Sequence, residues 1–281
     1  MSKRIKSTSR WKKKISLIIA FYNKIELLRL IFVALERQTF RDFEVIIADD
    51  GSQPDVVSQL NELIASASFP VKHVWHEDNG WQKNIILNSA VRVATSPLLV
   101  FIDGDCLPNK YFLEDHYSQA KRGEVSTGRR VMLPEGVTNK INEQKITEGI
   151  LERLFFPLLR ATLFDKKKTK MEHMVRIPYK WFRRLFIKER NRFILGCNFS
   201  LYKDDLLKVN GFDERFVHPG YGEDIDLGFR LERAGVKTMS RKNLMVIFHT
   251  YHIHFFTDFP ESLKLLEDNK LSSPYTEFGI S

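Results

Sequence analysis

The sequence predicts an α/β protein with a mostly parallel central sheet that is flanked by helices. In the first 103 residues, four short apolar runs alternate with segments whose apolar residues recur at helical spacing. Acidic residues follow three of these runs directly. Parallel sheets bind ligands at the carboxyl ends of their strands, so these acids indicate a site at that edge. The chain of 281 residues is long enough to bury the core of such a domain.

The predicted elements of this first half alternate regularly along the chain. Asn23 is predicted to cap the first helix, because its side chain can accept from free amide groups there. Strands are predicted over residues 15–20, 43–48, 71–76 and 98–103, with helices after Asn23 and over 54–67 and 81–94.

The second half has a less regular pattern. A fifth strand is predicted over Val125–Leu133, and a helix over Ile146–Phe164 with an interruption at Pro157. Residues 193–201 again have strand character. A helix over Glu223–Ala234, with acids in its first turn, is followed by a last strand over Val236–Phe248.

The positive charge is concentrated in two segments. Residues 1–14 carry seven Lys/Arg and no acid, and residues 151–192 carry thirteen Lys/Arg against four Asp/Glu. We therefore expect a basic N-terminal tail (1–14), one domain (15–258) and a C-terminal tail (259–281). Within the domain, we expect a basic aromatic insertion (125–192) between a first half (15–124) and a second half (193–258). Such local charge favours a specific anionic surface as a partner.

The basic segment includes the aromatic-rich stretch 179–186. Aromatic residues interleaved with cations favour shallow contact with an anionic membrane surface; a solvated helix and a nucleic-acid surface are the alternatives, and no nucleic-acid partner is expected. No apolar run is long enough to span a bilayer, and Cys106 and Cys197 do not form a disulfide framework. A cytoplasmic protein at the inner face of the membrane is expected.

The stretch Asp103-Gly104-Asp105 ends the fourth predicted strand with two carboxylates around a glycine. Carboxylate oxygens suit Mg²⁺ or Mn²⁺, whereas the alternative is an ordinary solvated turn. Asp49 and Asp50 end the second strand. Asp50 is the better candidate to bind a base or ribose and Asp49 the alternative, although a helix cap explains the pair equally well.

No G-x-G-x-x-G motif follows the first predicted strand, and the sequence contains no P-loop motif. A nucleotide would therefore be held by side chains and a metal. Lys83 and Asn88, on the predicted third helix, could reach its diphosphate, with a solvated surface position as the alternative for Lys83.

Glu223 and Asp224 open a predicted helix. Adjacent carboxylates repel, which raises the pKa of the pair toward a range useful for a general base; an acidic first helical turn is the structural alternative. Of the histidines His249, His252 and His254, we expect one to bind metal, because a site built from histidines alone would need more ligands.

Four motifs together resemble family 2 glycosyltransferases of the GT-A fold. They are the first strand with the turn after it (residues 16–23), the stretch 38–52, the D-x-D of residues 103–105, and an acceptor segment formed by 210–214 and 222–231 that is similar to chondroitin-polymerase and β-galactosyltransferase sequences. The resemblance implies that 15–124 form a nucleotide-sugar half and 193–258 an acceptor half. The resemblance covers about residues 15–255. In one departure, Tyr221-Gly222-Glu223-Asp224 stands where some relatives have Trp-Gly-Gly-Glu-Asp.

This resemblance implies roles for individual residues. Asp50 would recognise the nucleoside base, with Ala20 and Tyr22 in the same nucleotide site. Asp103 would lie near ribose and metal, and Asp105 and His249 would bind the metal. Asp224 would be the catalytic base, with Glu223 contacting the acceptor.

The predicted function is therefore inverting, metal-dependent transfer from a nucleotide-sugar, expected to be UDP-linked, to a glycan or lipid-linked acceptor in bacterial surface polysaccharide synthesis. Mn²⁺ or Mg²⁺ is the expected cofactor. Two alternatives come from other classes: a sugar nucleotidyltransferase, whose usual Gly-rich loop is absent after the first strand, and a basic module that binds membranes or nucleic acid.

Overall fold

The computed structural model describes residues 14–164, 168–187, 193–220, 222–253 and 259–281. Predictions made for residues 1–13, Tyr221 and His254 lie outside the described residues. Within those ranges, no helix combines the length and apolar character that a bilayer crossing requires.

The strands and helices alternate as predicted in the first half and become shorter in the second. The strands are β1 (Ile15–Phe21), β2 (Phe43–Asp49), β3 (Val71–Trp75), β4 (Leu98–Asp103), β5 (Cys106–Pro108), β6 (Glu124–Thr127), β7 (Arg130–Met132), β8 (Phe199–Tyr202), β9 (Lys237–Ser240) and β10 (Ile247–His249). The helices are α1 (Ile25–Glu36), α2 (Pro54–Ser66), α3 (Lys83–Val93), α4 (Phe112–Gln119), α5 (Glu135–Thr138), α6 (Glu143–Thr147), α7 (Phe155–Leu163), α8 (Lys180–Phe186), α9 (Lys203–Leu207), α10 (Glu223–Arg233) and α11 (Pro260–Leu271).

The central sheet has seven strands in the order β3-β2-β1-β4-β8-β6-β9. β1 pairs in parallel with β2 and β4, so Ala20 lies level with Ala48 on one side and Asp103 on the other. Only β8 runs antiparallel to its neighbours. Apolar residues of the helices cover both faces of the sheet. The prediction of a mostly parallel sheet flanked by helices is confirmed.

A second sheet of three strands, β5-β10-β7, lies next to the carboxyl end of β4. Its central strand β10 pairs His249 with Cys106 of β5 and with Met132 of β7. This pairing holds the end of the chain's last strand beside Asp105, the residue before Cys106. A contact across about 145 positions of sequence thus becomes fixed by backbone hydrogen bonds.

The two long strands predicted in the second half were wrong, because each is interrupted. β6 and β7 replace Val125–Leu133, and β9 and β10 replace Val236–Phe248. The fully buried Asn198 explains both breaks. Its side-chain amide donates to the carbonyl of Arg129 at 3.1 Å and to that of Met245 at 2.8 Å. Side-chain bonds thus satisfy carbonyl groups that a continuous strand would pair in a ladder.

Two smaller predictions were also wrong. Asn23 does not cap α1; its Oδ1 accepts from the amide of Gln53 at 2.9 Å and thus ties the turn after β1 to the start of α2. The helix predicted over 146–164 is interrupted before Phe155 and not at Pro157. Pro157 is the third residue of α7, where a helix has no use for the missing amide hydrogen.

Residues after 258, predicted to be a tail, include the helix α11, which packs against α10. Beyond it, the amide of Ile280 donates to the carbonyl of Asn210 at 3.0 Å. The C-terminal segment is therefore part of the packed structure around α10 and the loop after α9. The domain boundaries themselves stay a prediction.

Candidate active site

The D-x-D stretch lies at the carboxyl edge of the central sheet, where β4 ends. A Cβ atom on Gly104 would lie 2.8 Å from the carbonyl oxygen of Ala20, so only glycine lets the chain turn so close to β1. Asp103 accepts from the ammonium group of Lys83 at 2.8 Å. The two carboxylates are thus directed to different partners.

Asp105 lies between two histidines. Its Oδ2 atom is 2.9 Å from Nε2 of His252 and 3.6 Å from Nε2 of His249. Burial alone would raise the pKa of Asp105, but the hydrogen bond from His252 and the charge of His249 lower it well below the usual range. Asp105 is therefore held as an anion.

The two histidines differ in their surroundings. Burial lowers the pKa of His249 to about 4, which outweighs the attraction of Asp105. The hydrogen bond to Asp105 raises the pKa of the half-buried His252. At neutral pH His249 is consequently a neutral imidazole, the form that binds metals. Because both rings contact Asp105, the preference for His249 as the metal ligand stays a prediction.

Donor atoms of Asp105, Cys106 and His249 all lie within 4.8 Å of one another. Burial raises the pKa of the Cys106 thiol well above its ordinary value, so the thiol keeps its proton and donates to Oδ1 of Asp105 at 3.3 Å. The remaining pair, an ionised carboxylate and a neutral imidazole, fits Mn²⁺ or Mg²⁺. The residues present therefore fit a divalent cation without a thiolate ligand.

Asp50 and Asp49 have different environments. Asp50 borders a cavity of about 480 Å³, bonds His76 at 2.8 Å and accepts from the amide of Gln82 at 3.1 Å. Asp49 is fully buried and its two oxygens bond the amide of Ser52 and the ring of His73. Asp49 thus holds the turn after β2 and does not line the cavity, and its role as the alternative ligand contact stays a prediction.

Lys83 and Asn88 both lie on α3, but their side chains have different environments. Lys83 lines the cavity; burial would lower its pKa, but the charges of Asp103, Glu223 and Asp224 raise it. Asn88 is fully buried, donates to the carbonyl of Phe212 at 2.9 Å and accepts from its amide at 3.0 Å. Asn88 does not line this cavity, because its side chain holds the loop that follows α9; its contact with a diphosphate stays a prediction.

Ala20 and Tyr22 both line the same cavity as Asp50, and Tyr22 donates its hydroxyl to Asp78 at 2.8 Å. This hydrogen bond is the first cause of the raised pKa of Tyr22. Sequence reasoning assigned no role to Asp78 or Trp81, which also line the cavity. The sequence signal that could have identified both residues is their position, since they lie just past β3 at the ligand-binding edge of the sheet.

Glu223 and Asp224 open α10 after Gly222, whose φ of +146° and closeness to the Phe216 ring exclude a side chain. Burial raises the pKa of Glu223 to about 7; Lys83 opposes this shift and Asp224 adds to it. Burial also raises the pKa of Asp224, although the amide of Gly196 donates to its Oδ2 at 3.1 Å. The pair borders the site through Lys83 and does not line the cavity itself.

A buried polar network fixes the position of α10. Arg230 bonds Asp226 on the same helix at 2.7 Å and donates to the carbonyls of Val209 and Gly211. Asn269 of α11 donates to Asp226 at 2.7 Å and to Asp213 at 3.1 Å. The helix that carries Glu223 and Asp224 is thus connected to the C-terminal helix by buried hydrogen bonds.

The model for "Glycosyl transferase family 2" matches residues 16–207, which include β1 to β8 and the D-x-D stretch. The chain belongs to this family. A second model, "N-terminal domain of galactosyltransferase", matches residues 176–253, which include α10 and both histidines. The assignment confirms the predicted family and favours glycosyl transfer over nucleotidyl transfer and over a non-enzymatic binding module.

Similar proteins include validoxylamine A glucosyltransferase of Streptomyces hygroscopicus subsp. jinggangensis, 30% identical over 82% of this chain and 54% of that protein. Chondroitin synthase of Escherichia coli is 25% identical over 79% of this chain and 32% of that protein. The chain thus spans about half, or less, of the length of these curated relatives.

A solved structure of GalNAc-T7 with UDP, GalNAc and Mn²⁺ superposes with a TM-score of 0.61 at 14% identity, over 91% of this chain and 47% of that one. At this identity the likeness concerns the fold. The chain therefore forms a glycosyltransferase domain of the GT-A fold.

Proposed function

We propose that the protein transfers a sugar from a nucleotide-sugar, a UDP-sugar in the first instance, to a hydroxyl group of a glycan or lipid-linked acceptor. One observation carries this proposal. A single cavity at the carboxyl edge of the sheet contains Asp50, Asp103, Asp105 and Lys83, and Lys83 connects it electrostatically to Glu223 and Asp224. Groups suited to binding a donor therefore lie near a pair of acids suited to taking a proton, with Lys83 between them.

The donor would lie along this cavity. Asp50, at one end, is an acceptor for a base or ribose donor group, and Ala20 and Tyr22 form the adjacent wall. Asp103 and Lys83, which form an ion pair at 2.8 Å, would also contact the donor: Asp103 the ribose and a cation, and the Lys83 ammonium the diphosphate. Since Gly-rich phosphate loops are absent after β1, these side chains supply the diphosphate contacts.

Asp105 and His249 would hold the divalent cation, with Asp103 beside them and His252 bonded to Asp105. A bound Mn²⁺ or Mg²⁺ supplies Lewis-acid stabilisation of the leaving diphosphate. His252 orients the Asp105 carboxylate, and the low pKa of Asp105 keeps that carboxylate ionised. The GalNAc-T7 structure, described with UDP and Mn²⁺, supports this choice of donor and metal.

Asp224 is the proposed base. It accepts the proton of the acceptor hydroxyl while that oxygen forms a bond to the anomeric carbon of the donor sugar. The bond from the anomeric carbon to the diphosphate oxygen breaks, and its electron pair leaves with the nucleoside diphosphate. Because the displacement is direct, the anomeric configuration inverts and no covalent intermediate is needed. Glu223 beside Asp224 would contact the acceptor.

Bacterial surface polysaccharide synthesis is the proposed setting, at the inner face of the cell membrane. The similarity to a chondroitin synthase and to an O-antigen biosynthesis protein of Myxococcus xanthus supports this setting.

The basic aromatic segment supports membrane contact, since Tyr179, Trp181 and Leu185 are about two-thirds exposed. Sedimentation with anionic vesicles tests the contact, and equal recovery with neutral vesicles contradicts it.

A donor screen tests the central proposal. Release of nucleoside diphosphate is measured from UDP- and GDP-sugars with Mn²⁺, with Mg²⁺ and with EDTA, and Asp224→Asn is the background control. Release from a UDP-sugar that requires metal and Asp224 is expected. If calorimetry detects no binding of any common nucleotide-sugar to the intact protein, the proposal is wrong.

A further inference from the structure

A second cavity, of about 880 Å³, lies beside the first and shares His252 with it. It is formed by the residues after β7, by α5 and by one face of α7. Because one side chain borders both cavities, the larger one lies next to the metal side of the smaller one. The proposed donor contacts leave this larger cavity unused.

The lining of the larger cavity combines apolar surface with excess positive charge. Leu133, Val137 and Phe156 contribute apolar surface, and Lys140, Arg160 and Lys168 contribute cations. Glu135 is the one acid in the lining among the residues that the structure describes. Within that same part of the chain, none of the three cations forms an ion pair or a side-chain hydrogen bond. Cations without partners at an apolar cavity favour an amphiphilic anion.

The helix α7 continues this pattern outside the cavity. Phe156, Leu163 and Phe164 are 76%, 62% and 76% exposed, and with Arg160 they recur at spacings of four, seven and eight residues. They therefore share one face of the helix and its C-terminal end. A cavity whose rim includes exposed apolar residues and a cation matches a ligand with an apolar chain and an attached phosphate.

We propose that this cavity binds the acceptor through a phosphate group that carries an apolar chain, as in a lipid-linked sugar phosphate. Lys140, Arg160 and Lys168 contact the phosphate, and the apolar lining contacts the chain next to it. The acceptor sugar then extends past His252 toward the donor cavity. This inference rests on the proposed function, since it assigns the acceptor class of that same reaction.

Calorimetry on the full chain tests the assignment with three probes below their micelle concentrations: farnesyl phosphate, farnesol and inorganic phosphate. Farnesyl phosphate should bind at least about 10-fold more tightly than either other probe, because only it meets both the cations and the apolar lining. Inorganic phosphate binding as tightly as farnesyl phosphate would overturn the assignment, and so would farnesol doing so.

Matched variants locate the contact. Arg160→Ala and Lys140→Ala should each weaken farnesyl phosphate binding about 10-fold, since each removes one charge-assisted contact. Arg153→Ala removes an equal charge from an exposed residue outside the cavity lining and should leave binding unchanged. Equal losses in all three variants would mean unspecific attraction and overturn the inference.

UDP titration with Mn²⁺ separates this inference from the proposed function. Wild type and Arg160→Ala should bind UDP equally, since Arg160 does not line the donor cavity. Normal UDP binding without farnesyl phosphate binding contradicts the acceptor assignment alone. Failure of the wild-type protein to bind any nucleotide contradicts the proposed function.

Discussion

The two carboxylate pairs of the site are built from the same chemistry but have opposite electrostatic surroundings. In the D-x-D pair, histidine neighbours lower the pKa of Asp105. In the Glu223–Asp224 pair, burial raises the pKa of both acids. The first pair is thus suited to hold a cation and the second to take up a proton. Sequence spacing cannot distinguish these roles, because the difference comes from neighbours distant in the chain.

Loss of one carboxylate from each pair gives the largest predicted effect. Asp224→Asn should lower kcat by about 10²- to 10⁴-fold, the usual contribution of a general base, and leave nucleotide-sugar binding intact. Asp105→Asn should instead abolish metal-dependent donor binding, measured by calorimetry with Mn²⁺. Asp55→Asn, at an exposed position on α2, is the control. Loss of donor binding in Asp224→Asn would contradict the division of roles.

Lys83 lies between the pairs, so its replacement tests whether they are coupled. Its charge lowers the pKa of Glu223 and of Asp224, and it bonds Asp103. Lys83→Met should therefore move the acidic limb of the kcat/KM profile to higher pH, because both acids then stay protonated up to a higher pH. Lys83→Arg keeps the charge and should keep the limb close to its position. An unchanged profile in Lys83→Met would show that the pairs titrate independently.

Asn269 tests how far the position of the second pair depends on α11. Asn269→Leu leaves the buried Asp213 and Asp226 each without one donor, which should lower the free energy of unfolding by about 2–4 kcal/mol in urea denaturation. We also expect a lower kcat with an unchanged KM for the donor, since the network positions α10 and not the donor cavity. Lys264→Ala, exposed on the same helix, is the control. A stability loss with unchanged kcat would make Asn269 purely structural.

Local sequence was sufficient for the parallel half of the fold. The apolar runs of β1, β2 and β4 are almost wholly buried, so hydrophobic pattern alone determines them. The same reasoning failed around Asn198, because one buried side chain satisfies carbonyls from two separate segments. Such a bond between residues about 50 to 70 positions apart leaves no periodic signal in the sequence.

The candidate site was predictable to a similar degree. Asp50, Asp103 and Asp105 were selected because they follow predicted strands at one sheet edge, and Lys83 because it lies on the predicted third helix. All four line one cavity, and their roles stay predictions. Asn88 does not line that cavity, because its side chain is buried against the loop at Phe212, a contact that the sequence pattern does not reveal. His252 could not be separated from His249, because β10 ends at His249 and its pairing with β5 decides which rings reach Asp105.

The smallest predicted effect is on stability, where the two pairs should have opposite signs. The pKa of Glu223 is raised from 4.5 to about 7, so between these values the folded state keeps a proton that the unfolded state has lost. The contribution of the Glu223 side chain to the free energy of unfolding is fully present below pH about 4.5 and is lost as the pH rises through 7. The free energy of unfolding of Glu223→Gln should therefore exceed that of the wild type by about 1–3 kcal/mol between pH 5 and pH 8.

For Asp105 the sign is reversed, since its folded pKa is lowered. Its contribution in metal-free protein is present above the unfolded pKa and is lost as the pH falls below it. Asp105→Asn should therefore be less stable than wild type at neutral pH, and Glu223→Gln more stable. Urea denaturation at pH 5 and pH 8 measures both, with Glu232→Gln, exposed on α10, as the control. If both variants shift stability in the same direction, the surroundings of the two pairs are not opposed.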